Sequence, residues 1–69
     1  MKAEMSEKYT RLQSLLSEIV TLENAIAKLT FYINENKPEG DMSDTMWSQL
    51  TAMEEYRDAL HIRIKRGWY

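Results

Sequence analysis

Residues 12–33 read Leu12-Gln13-Ser14-Leu15-Leu16-Ser17-Glu18-Ile19-Val20-Thr21-Leu22-Glu23-Asn24-Ala25-Ile26-Ala27-Lys28-Leu29-Thr30-Phe31-Tyr32-Ile33, and this stretch decides the fold. Leu12, Leu15, Ile19, Leu22, Ile26, Leu29 and Ile33 recur at alternating steps of 3 and 4. That is a heptad seam over about three heptads, and it lays one apolar stripe along a helix. Neither Gly nor Pro interrupts it. Upstream, Ser6 before Glu7 offers a start, and the seam extends back through Tyr9 and Met5. Downstream, Pro38 and Gly40 in the Asn34–Gly40 run stop the helix near Asn34. The spacing predicts a helix over about 6–34, roughly 43 Å long at ~1.5 Å per residue.

A second helix is predicted over about 44–66. Asp41, Ser43 and Asp44 are alternative N-caps, and acids suit the positive end of the helix dipole. Met46, Leu50, Met53, Leu60 and Ile64 carry its apolar stripe, with Arg57 in the remaining seam position and Tyr56 beside it. Gly67 is a natural stop, and Arg63, Lys65 and Arg66 lie in the last turns, where cations are favourable. The short connector implies an all-α antiparallel two-helix hairpin forming a single domain over 1–69. Chains of this size draw only about 3–5 kcal/mol from one core. Leu16, Val20, Phe31, Tyr32, Trp47 and Ile62 fall off the main stripes. The surplus apolar surface predicts a homo-oligomer, a helical bundle built from hairpins.

The chain has 69 residues, a formal charge of −2, 43% hydrophobic residues and no cysteine. Those values exclude a disulfide framework, a zinc knuckle and thiol chemistry, and argue against disorder. No apolar run approaches the ~18 residues of a membrane span, and no signal-peptide core follows Met1, so a cytoplasmic protein is expected. His61 is the sole histidine and has no second soft ligand, so no metal or cofactor is expected. Asp58, three residues earlier, could pair with it on one helix face; a partly exposed helix-end histidine is the plainer reading. Ser14, Ser17 and Ser48 have no base nearby, and Gly40 and Gly67 cannot form a phosphate loop. An enzyme is not expected.

Charge is distributed more tellingly. An antiparallel hairpin brings Lys2, Lys8 and Arg11 beside Arg63, Lys65 and Arg66, six of the nine basic residues, at its open end. Tyr9, Trp68 and Tyr69 belong to the same end, whereas Glu35, Glu39, Asp41 and Asp44 gather at the turn. Cations and aromatic rings together suit a phosphate-bearing ligand, or an acidic patch on a partner protein. The same cations would also stabilise the helix dipole without any ligand, and the aromatic tail could fold back as a clamp or swap onto a neighbour. A negative net charge and a compact cluster disfavour duplex nucleic acid. Arg57 could snorkel outward, pair with Glu54 or Asp58, or face an oligomer cavity holding an anion.

The second helix, Gln49-Leu50-Thr51-Ala52-Met53-Glu54-Glu55-Tyr56-Arg57-Asp58-Ala59-Leu60-His61-Ile62-Arg63-Ile64, resembles a family of very short phage and prophage proteins related to crAss-like phages. The pattern Gln-Leu-x-Ala-Met-x-x-Tyr-x-x-x-Leu-x-x-Arg-Ile carries the resemblance, together with Phe31 and Ile33 before the polar loop. The hairpin is similar in build to phage sponges that sequester the cyclic oligonucleotides of CBASS immunity or the signals of Thoeris. The resemblance implies binding without turnover, between protomers, in the host bacterial cytoplasm. It makes Tyr9 and Tyr56 the stacking residues and Lys8, Arg11, Arg57 and Arg63 the phosphate ligands, with Lys65 and Arg66 added from the basic end. The competing expectations are a module or inhibitor docking on a host or phage protein through Trp47, Trp68 and Tyr69, and a structural coiled-coil element.

Overall fold

In the computed structural model, the backbone of residues 2–69 and the side chains from Ser6 onward are described. The parts expected of Lys2 at the open end and of Met5 in the seam lie outside the described side chains. Two helices, α1 (Lys2–Asn36) and α2 (Gly40–Lys65), make an antiparallel hairpin 55 × 16 × 14 Å. No strand interrupts them among the described residues.

The heptad seam is the interface. Leu15, Ile19 and Leu60 form one buried cluster, with Leu22, Ile64 and Tyr69 packed against it. Ile26, Ile33 and Leu50 form a second cluster nearer the turn, with Leu22, Leu29, Met46 and Met53 around it. Leu22 touches both and joins them. Among the described residues Leu60 alone is almost fully enclosed, at 1% exposure, so the core is one layer thick.

Both predicted helices start ahead of their expected bounds, and α1 also ends beyond its own. α1 continues to Asn36, and α2 begins at Gly40 rather than at Asp44. The N-cap position falls on Glu39, in extended conformation with no side-chain capping bond, so Asp41, Ser43 and Asp44 lie inside the helix instead of capping it. The reason is the tightness of the turn. Lys37 (φ 45°) and Gly40 (φ 63°) both adopt left-handed backbone, and the Lys37 amide donates to the Ile33 carbonyl at 2.9 Å. These reversals turn the chain within three residues, and Asp41 keeps the favourable place in the first turn.

At the other end α2 closes on Arg66 as C-cap, one residue short of the expected helix end. Gly67 (φ 73°) lets its own amide donate to the Ile64 carbonyl at 3.1 Å and the Trp68 amide to the Arg63 carbonyl at 2.7 Å. This paired arrangement is a Schellman motif, and it points the last two residues back toward α1. With 35 residues against 26, α1 overhangs α2 by nine, about 13 Å at ~1.5 Å per residue. The tail occupies the step so formed. Tyr69 packs on the Leu15 cluster, so within this chain the tail folds back.

Candidate functional site

The step at the open end has walls from three places: the first turns of α1, the last turn of α2 and the returning tail. Tyr69 divides it. On one side a hollow of about 250 Å³ is lined by Lys8, Tyr9, Leu12 and Tyr69. On the other, a hollow of about 380 Å³ is lined by Arg11, Ser14, Leu15, Glu18, Arg63 and Tyr69. Two further hollows have walls from one helix only, around Ser6–Arg11 and beside Trp47, and so lack an opposing surface.

Helical register explains the second hollow. Arg11 and Glu18 are seven residues apart on α1, and Tyr56 and Arg63 are seven apart on α2, so each pair shares an edge of its helix. Antiparallel packing sets these two edges side by side. The Tyr56 hydroxyl donates to the Glu18 carboxylate across the interface. That bond, reinforced by partial desolvation and the charge of Glu18, raises the Tyr56 pKa above its ordinary value, while Arg63 pulls the other way. Glu18 is an acidic member of a mostly basic edge, and residue types alone did not single it out. The seven-residue spacing from Arg11 was the available signal.

The cations are held in different ways. Arg63 donates from Nε to the Trp68 carbonyl at 3.0 Å, which anchors the tail to α2. Arg66 lies over the Trp68 ring, 5.0 Å from its centroid. Arg11 keeps a loose contact of 4.0 Å to Glu7, one turn earlier, and its head is mostly in solvent. Lys8 and Lys65 are exposed. Tyr9, also exposed, accepts a hydrogen bond from Gln13 at 3.1 Å.

Arg57 stands apart from this group. Its side chain is 28% exposed, and both Nε and Nη2 donate to Asp58 Oδ1 at 3.2 Å. Of the expected arrangements, pairing with Asp58 is the one observed. Because Asp58 lies about 200° around the helix from Tyr56, the guanidinium is drawn away from the Tyr56–Arg63 edge. That engagement also answers the Asp58–His61 pairing. His61 Nε2 instead faces Glu23 Oε1 at 3.6 Å, across the opposite edge of the hairpin. Ser14 and Glu18 are additions to the expected set, and Tyr69, expected as one of the aromatic residues of the basic end, is the residue on which both hollows meet.

Among the described residues there is no cluster of three or more His, Cys, Asp or Glu side chains that could hold a metal ion, and no helix long and apolar enough to cross a membrane. In comparisons with known proteins, a family model described as Sequestin matches residues 2–66. No curated protein and no solved structure gives a match.

Proposed function

Since the chain belongs to the Sequestin family, a name that speaks of sequestering, we propose that it captures a phosphate-bearing nucleotide at its open end and holds it without turnover. The observation that carries this reading is the convergence of Arg11, Arg63 and Tyr69 around one hollow. Guanidinium groups recognise phosphate oxygens, and the phenol ring of Tyr69 in the lining of the same hollow offers a face on which a base can stack. Lys8 and Tyr9 enlarge the same site on the other side of Tyr69. Lys65 and Arg66 raise the local positive potential, and Tyr56 orders Glu18 at the boundary, where its charge limits how far an anion extends. Arg57, bound to Asp58, takes a structural part.

The ligand class we favour is a cyclic oligonucleotide immune signal, which makes the protein a phage anti-defence factor acting in the host cytoplasm. Sequestration requires affinity alone, so copies of the hairpin associate to hold the site rigid. Native mass spectrometry and calorimetry with cyclic di- and trinucleotides test this. Retention in fixed stoichiometry is expected, with Arg63→Ala weakening it at least tenfold, about 1.4 kcal/mol, at unchanged helicity. Equal affinity in Arg63→Ala would remove the site from the open end. Absence of any retained nucleotide would favour an acidic protein partner docking on the same cations.

A further inference from the structure

α1 carries a second apolar stripe that the hairpin does not use. Leu16, Val20, Ala27 and Phe31 are all exposed, with Leu16, Val20 and Phe31 at 46%, 59% and 67%. At about 100° per residue these four lie within roughly 60° of one another, about 120° from the centre of the seam. Burying them against water is worth on the order of 25 cal/mol per Å². We infer that a second copy of this chain covers the stripe, packed antiparallel about a twofold axis passing between Glu23 and Asn24.

Two observations select this occupant and this orientation. The first is register. Leu16 and Phe31 are equidistant from the point between residues 23 and 24, and so are Val20 and Ala27. Antiparallel self-packing therefore sets the large Phe31 against Leu16 and the small Ala27 against Val20, twice over, with no apolar residue opposed by a charge. The second is charge. Residues 35–44 hold Glu35, Glu39, Asp41 and Asp44 against Lys37, while the open end holds Lys8, Arg11, Arg63, Lys65 and Arg66 against Glu7. An antiparallel pair sets each acidic turn toward a basic open end, whereas a parallel pair would bring like charges together. The long side of a body 55 × 16 × 14 Å also has the extent of the ~800 Å² that each partner of a stable dimer buries.

The pairing deepens the self-association in the proposed function and rests on it at that point only; nucleotide retention is measured separately. Sedimentation of the full chain without ligand is expected to give a dimer, and Val20→Glu to halve the sedimenting mass. The chain has no cysteine, so engineered ones report register cleanly. Mixing Val20→Cys with Ala27→Cys under mild oxidation is expected to give the mixed disulfide. Val20→Cys alone should stay unlinked, its two copies lying about 10 Å apart along the axis. A monomer at all concentrations would overturn the inference even if nucleotide is retained. A dimer in which Val20→Cys links to itself would overturn the antiparallel register.

Discussion

Tyr56 and Glu18 bind across the hairpin through a phenol proton, and that proton is titratable. The raised folded pKa, set first by the bond to Glu18, means the contact stabilises the fold fully below the ordinary tyrosine value of 10.0. The contribution is lost as pH rises through the higher folded value. Spectrophotometric titration should therefore show one tyrosine ionising late, and Glu18→Gln should bring it back toward the others. Lys37 is a second residue with a local consequence. Its left-handed backbone strains a side-chain-bearing residue, so Lys37→Gly is expected to stabilise the hairpin by about 0.5–1 kcal/mol in thermal melts. The residue that was hardest to foresee, Glu18, owes its place to a partner element. Glu18 is an ordinary helix acid until α2 brings Tyr56 and Arg63 beside it.

At the scale of the element, both helices were readable from their apolar spacing, because a one-layer core leaves few ways to bury a heptad stripe. Their ends were less so. Asp41, Ser43 and Asp44 have the chemistry of N-caps, but backbone reversal at Lys37 and Gly40 started α2 ahead of them. The Gly67 stop was foreseeable because a left-handed C-terminal residue is so often glycine. Leu60 is the element-level test of the core. Among the described residues it is the most enclosed side chain, in the cluster nearest the open end. Leu60→Ala is expected to cost about 2–5 kcal/mol, comparable to everything a core this size supplies. Circular dichroism should show the variant largely unfolded at 25 °C, while Val20→Ala on the exposed stripe keeps its helicity.

At the scale of the whole molecule, the basic open end and acidic turn could be foreseen once the helices were antiparallel. What could not be foreseen was the subdivision of the basic end by Tyr69, which depends on a 35-residue helix outrunning a 26-residue one. That inequality also sets a timescale. Besides the packing of Tyr69 on the Leu15 cluster, the tail is held by the Arg63–Trp68 hydrogen bond and the Arg66–Trp68 cation–π contact, these two together worth about 2 kcal/mol. Release of the tail leaves the helix–helix seam intact, so it proceeds as a local opening distinct from global unfolding. The Trp68 amide, bonded to the Arg63 carbonyl, should then exchange with deuterium at least about 30-fold slower than in a free peptide, a factor that follows from those two contacts at ~1.4 kcal/mol per decade. The amides around Leu60 should be protected far more strongly. A nucleotide lodged against Tyr69 would close that difference, which gives hydrogen exchange at a single indole-bearing residue the power to report occupancy.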